Sequence, residues 1–351
     1  MRKEKTAILG IGLGAIALVL HRYLPSSIME GWYGNGFFRV ARIVLDYTFG
    51  LLPIPGTYLL IVLLLFFLGR KLVVGKFSEW RLGKSLLRLV GCLGWIVFAF
   101  YVLWGFNYGR ASVTDRLSWS KEKLDKATLV AMAETHLAAL SELRADLPIE
   151  DYFGETAHWQ ENIRRDAYPL ARKLGYKVPG RHLRAREWKP VGLLLRWGTA
   201  GFYNPLTGEC NIDGGLHDLQ KPYVIAHEYF HGLGVTGEGD CNFLAYVLCH
   251  NSSDPFIRYS GELGFWRYLR SAMYRNSPPA FSEVIKKSLP AIEADIKAID
   301  IQMDKFPDIA PRMRDKVYDT YLKSNKIEEG MASYGTVVGM VLNWKRNGEK
   351  L

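Results

Sequence analysis

Cysteine is scarce: four residues in a chain of 351, at positions 92, 210, 241 and 249. Four are too few for a scaffold stapled by disulfides. No two form a C-x-x-C pair, so a thiolate metal site has no support. Cys92 falls within an apolar run, and Cys241 and Cys249 share one predicted helix, too far apart along it to bond. They read as small, mostly buried apolar residues. Internal repeats and low-complexity tracts are absent. So is a basic nucleic-acid footprint, although the formal net charge is +10. Residues 1–107 hold 12 Lys/Arg against 4 Asp/Glu, whereas residues 108–351 hold 33 against 31. The basic excess sits in the apolar N-terminal third, which points to membrane-orienting charge and no nucleic-acid partner.

Three apolar segments, at about 6–24, 54–69 and 89–108, predict transmembrane helices. Stretches of roughly 16–20 apolar residues span a hydrocarbon core of about 30 Å when flanking residues snorkel. The first follows Arg2, Lys3 and Lys5, and no small-residue cleavage pattern comes after it, so an uncleaved helix is expected rather than a signal peptide. Trp104, Phe106 and Tyr108 suit an interfacial aromatic belt. Nine basic residues precede the first segment or lie between the second and third, against Arg22, Arg39 and Arg42 between the first and second. That asymmetry places the N-terminus in the cytoplasm and residues 109–351 on the outer side. Residues 37–52 carry apolar residues at helical spacing and are expected to lie along the bilayer interface.

Residues 109–351 read as a mainly α domain with a small β-hairpin or sheet. Helices are predicted over 120–143, 156–174, 222–233, 238–250, 254–275, 282–306, 312–323 and 328–344. The Gly- and Pro-rich stretch between them predicts a hairpin of 192–203 with 209–212 across Asn204-Pro205-Leu206-Thr207-Gly208.

The chemistry concentrates in His227-Glu228-Tyr229-Phe230-His231. Pro222 suits the first turn of a helix, and Gly232 and Gly234 suit its end. Four residues apart on a helix, His227 and His231 point the same way, so both imidazoles reach one Zn²⁺. Glu228, one position along, reaches a water on the metal rather than the metal itself, which suits a general base. The rest of that helix is apolar, and three polar residues on a buried helix need partners that a metal supplies. A catalytic zinc takes three protein ligands, and the next helix offers Glu238 or Asp240 as the third. The two lie about 200° apart around that helix, so only one ligates, and Glu238 is preferred. Asp240 is alternatively a first-turn carboxylate favoured by the helix dipole. Asn242 shares the face of Glu238 and is a candidate partner for a ligating histidine. His136, His158, His217 and His250 sit in polar contexts and are expected to be solvated.

His227–His231 followed by Glu238, Cys241, Asn242, Leu244 and Ala245 resembles the gluzincin metallopeptidases, whose second helix carries E-x-x-A-[DN]. Nearly the whole chain is similar to an uncharacterised family of bacterial membrane proteins with three transmembrane helices and an H-E-x-x-H domain. The residues that carry this are GWYGNG at 31–36, WGFNY at 104–108, GFYNPLTGE at 201–209, DPFIRYSG at 254–261 and KVYDTYL at 316–322. Cys241 departs from the usual alanine, and Asp240 stands where glutamate is usual. The resemblance implies a zincin-like fold for 109–351, outside a bacterial inner membrane. It also implies an edge strand that pairs with extended substrate, for which Gly198–Tyr203 is the candidate by position. A tyrosine or histidine that steadies the developing oxyanion is implied as well, with Tyr203 and Tyr334 as the tyrosine candidates.

The leading expectation is a membrane-anchored metallopeptidase. The alternatives are a zinc-stabilised, non-catalytic scaffold and a hydrolase of cell-wall amides.

Overall fold

An unbroken run of small and aliphatic residues after Lys5 builds the first helix, α1 (Arg2–Tyr23). Glycine elsewhere weakens helices, but here Gly10 and Gly14 form a contact surface. In the computed structural model, which describes residues 2–74, 82–120, 124–177, 182–328, 330 and 336–351, α1 packs along α4 (Leu82–Leu103). A Cβ added at Gly14 would lie 2.8 Å from the Gly94 carbonyl oxygen, and one at Gly94 would lie 2.3 Å from that of Gly10. Backbone therefore meets backbone, the usual device where no hydrophobic force drives helices together. The Trp95 indole donates to the Thr6 carbonyl at 3.2 Å, and Arg88 pairs with Glu4 at 3.0 Å.

Between these helices lie α2 (Phe38–Asp46) and α3 (Gly56–Val74). On α2 the charged residues Arg42 and Asp46 are buried, while Val40, Ile43 and Val44 are exposed. Arg42 donates to Asp46 and to the Gly208 carbonyl. A helix in water shows the reverse pattern, so α2 suits an apolar surround. Helices α1 and α4 are each long and apolar enough to cross a membrane. A third crossing results if the stretches Ser26–Leu51 and Gly56–Phe67, which meet at 83°, count as one bent span. Two or three apolar helices near the N-terminus are compatible with membrane insertion.

The expected third segment is shifted. Helix α4 begins earlier and stops at Leu103, after which Gly105–Gly109 forms a 3₁₀ turn. Trp104, Phe106 and Tyr108 are buried, with Phe106 edge-on to Tyr33 at 5.3 Å, so they do not form an exposed belt.

Among the described residues, the high helix content (72%) with a small three-stranded sheet makes the fold mainly α. It divides into two units: Met1–Arg110 with Lys177–His182 and Asn204–Glu209, and Ala111–Tyr176 with Leu183–Tyr203 and Cys210–Leu351. In the second, apart from the end residues Asn204 and Glu209, α5 (Lys126–Ala145) and α6 (Thr156–Lys173) precede β1 (Ala185–Trp188), β2 (Gly201–Asn204) and β3 (Glu209–Asp213). The sheet order is β1-β3-β2, so β2 is an edge and the wholly buried β3 is central. β1 runs parallel to β3, Ala185 opposite Cys210 and Trp188 opposite Asp213. β1 has no apolar run to announce it.

The expected strand over 192–203 is shorter. Residues 193–196 instead form a helical turn between Gly192 and Gly198, both at positive φ. Asp213 holds that turn: its buried carboxylate accepts from the amides of Gly192 and Gly215 at 2.7 Å and of Leu194 at 2.8 Å. Five helices follow: α7 (Lys221–Gly232), α8 (Glu238–His250), α9 (Pro255–Asn276), α10 (Pro278–Ile285) and α11 (Pro290–Asp304). The single helix expected over 282–306 is broken, because Pro290 starts a new helix and cannot continue the old one. Helices α12 (Pro311–Ser324) and α13 (Val337–Arg346) complete the unit. The first residues of the helix expected over 328–344 lie partly outside the described residues, as does Tyr334.

Candidate metal centre

Pro222 opens α7, and the chain turns at Gly234, whose φ is +94°. This compact corner sets α8 against α7. Both helices are almost entirely buried, so their few polar side chains must meet each other.

They do. His227, His231 and Glu238 bring one ligand atom each within 4.8 Å of one another. The two Nε2 atoms are 3.1 Å apart, and Glu238 Oε2 lies 3.3 Å from His227 Nε2 and 3.4 Å from His231 Nε2. The opposite ring nitrogens are occupied. His231 Nδ1 faces the Val235 carbonyl at 2.9 Å, and a carbonyl only accepts, so that nitrogen carries the hydrogen. His227 Nδ1 faces Asn242 Oδ1 at 2.8 Å. With each Nδ1 so engaged, both Nε2 atoms face the same carboxylate oxygen. Three acceptors meet at one point, which demands a proton or a cation.

The electrostatics say the same. Burial alone lowers the pKa of His231, but Cys241 and the Glu238 charge overcome this and hold it well above the usual histidine value. Burial raises Glu238, yet the two histidines bring it well below the usual carboxylate range. The cluster attracts positive charge.

Asp240 is elsewhere. Its Oδ2 accepts from the Val113 amide at 3.1 Å, so of the two acidic candidates Glu238 is the one beside the histidines. Glu228 is 4% exposed, and its Oε2 has no hydrogen-bond partner among the described residues. Burial, opposed by His227 and His231, raises its pKa to about 7. A carboxyl at that value is poised to take and return a proton near neutrality. The edge strand β2 covers it: a Cβ on Gly201 would stand 2.7 Å from Glu228 Oε1. Tyr203, two residues along, shares the Gly201 face of β2 and is 9% exposed.

Tyr318 on α12 joins the site without any local pattern that marks it for chemistry. Its hydroxyl donates to Glu238 Oε1 at 2.7 Å. The only sequence signal was its place in KVYDTYL. His136, expected in solvent, is 1% exposed and packs against Phe265 at 5.0 Å, with Nε2 facing the Glu262 carbonyl at 3.0 Å. His158 is half-exposed and pairs with Asp254 at 2.8 Å.

Residues 33–342, which include all of these side chains, match a family described as a protein of unknown function, DUF3810. The chain belongs to the DUF3810 family. No curated protein and no solved structure matches it. For this DUF3810 member, function must therefore be read from the site itself.

Proposed function

We propose that this DUF3810 protein is a membrane-anchored zinc hydrolase of peptide bonds, with a zincin-like domain formed by residues 109–351. His227, His231 and Glu238 are its metal ligands. The observation that carries this reading is the convergence of two imidazole Nε2 atoms and Glu238 Oε2, 3.1–3.4 Å apart, with both Nδ1 atoms turned away to other partners. Tetrahedral zinc at about 2.0–2.1 Å from each ligand requires ligand atoms roughly 3.3 Å apart, which fits the donor set. When bound, zinc supplies a Lewis acid and an acidified water.

The chain's own residues do the rest. Glu228 takes a proton from the attacking water and passes it to the leaving amine. Its burial supports the role, since a purely structural site needs no buried carboxylate beside it with an oxygen, Oε2, that has no hydrogen-bond partner among the described residues. Asn242 and the Val235 carbonyl orient the two imidazoles. β2 stands at the sheet edge, where an extended peptide adds as another strand. We place the hydrolase domain outside the bacterial inner membrane, with the N-terminus in the cytoplasm, on the distribution of Lys and Arg around the apolar segments.

Comparing peptides released by cells carrying wild type or Glu228→Gln tests the catalytic part. Peptides present only with wild type support it, provided the variant protein retains its zinc. Identical peptide profiles would favour a non-catalytic zinc scaffold.

A further inference from the structure

The two oxygens of Glu238 have separate partners. Oε2 faces both histidine Nε2 atoms, at 3.3 and 3.4 Å, whereas Oε1 accepts from the Tyr318 hydroxyl at 2.7 Å. The phenol arrives from α12, eighty residues along the chain, and Glu238 is only 5% exposed. A hydrogen bond to a buried carboxylate is of the stronger, charge-assisted kind. It constrains rotation of the carboxylate, because swinging Oε1 toward the histidines would break this bond from the Tyr318 hydroxyl.

We infer that Tyr318 is a positioning residue that keeps Glu238 a single-oxygen ligand. This inference rests on the metal reading above and deepens it. A carboxylate that binds through both oxygens adds a ligand and crowds the position a catalytic zinc site leaves open. Held by Tyr318, Glu238 contributes Oε2 alone and the fourth position stays free for water. Tyr318 acts through Glu238 and needs no contact with substrate.

Cobalt(II) serves as the probe, because its visible band reports coordination number and geometry. The experiment uses full-length protein in detergent, loaded with cobalt(II) alone. Wild type is expected to give an intense four-coordinate band. Tyr318→Phe is expected to lose intensity and shift toward a five-coordinate spectrum. Tyr321, whose ring lies 5.9 Å from that of Tyr318 on the same helix, supplies the control. Tyr321→Phe should give the wild-type spectrum. A Tyr318→Phe spectrum superimposable on wild type overturns the inference. An equal change in Tyr321→Phe also overturns it, since the effect would then be a general loosening of α12. Failure of the wild type itself to take up cobalt would bring down the metal reading, a different outcome from either.

Discussion

Nδ1 of His227 lies 2.8 Å from Oδ1 of Asn242, and the pair joins the two helices of the candidate centre. The amide oxygen fixes both the ring orientation and the tautomer, leaving Nε2 as the ligand atom. Asn242→Ala should leave the fold intact and weaken zinc binding by roughly ten- to a hundredfold. Competition with a chromogenic chelator measures this. Unchanged affinity would mean that Asn242 does not orient His227.

Gly201 makes room for Glu228, the proposed general base. A Cβ there would approach the Asn211 carbonyl oxygen to 2.5 Å and Glu228 Oε1 to 2.7 Å. The backbone neighbour has no rotamer by which to escape. Gly201→Ala should cost about 1–3 kcal/mol of stability and depress hydrolysis, with zinc still bound. Thermal melts and metal content, measured on one preparation, separate the two effects. A fully active, wild-type-stable Gly201→Ala protein contradicts the placement of β2.

Burial lowers the pKa of His136, and the nearby Glu262 charge only partly opposes it. The folded state thus binds a proton less readily than the unfolded chain does. Its contribution to stability is complete above the unfolded value of about 6.5 and is lost as pH falls through the lower folded value. Wild type should therefore lose more thermal stability between pH 7 and pH 5 than His136→Gln does. The comparison is between slopes, because the substitution also changes stability at pH 7. Equal slopes for the two proteins would show that His136 does not titrate on unfolding.

Two glycines on α1 offer a matched test of the helix pair. A Cβ on Gly14 meets the Gly94 backbone at 2.8 Å, whereas one on Gly12 meets nothing within 4 Å. Gly14→Leu should lower the unfolding midpoint in detergent, and Gly12→Leu should leave it near wild type. Equal effects would argue against close backbone packing between α1 and α4.

The part of the site built from local spacing was legible in the sequence. His227 and His231 share a helix face by periodicity alone, and Glu238 and Asp240 diverge by the same geometry, so that only one of the two acids could join them. What depended on distant partners was not legible. Tyr318 reaches Glu238 only through the docking of α12, and His136 is dry only because Glu262 and Phe265, more than 120 residues away, enclose it. Local misreadings have local causes. Leu193-Leu194-Leu195 looks like strand, but Asp213 gathers its amides into a turn. Pro290 sits inside an otherwise continuous apolar pattern and still starts a new helix. The apolar helices near the N-terminus were legible in apolar content, whereas their ends were not, because the aromatic run Trp104–Tyr108 continues the apolar pattern and folds as a buried turn.

In the proposed centre, one zinc ion sits between His227, His231 and Glu238. Elemental analysis of full-length protein, purified without added metal or chelator, tests it most directly alongside His227→Ala and His231→Ala. About one zinc per chain in wild type and little in either variant is the expected result. Zinc retained equally by the folded variants, or wild type without stoichiometric metal, would contradict the account.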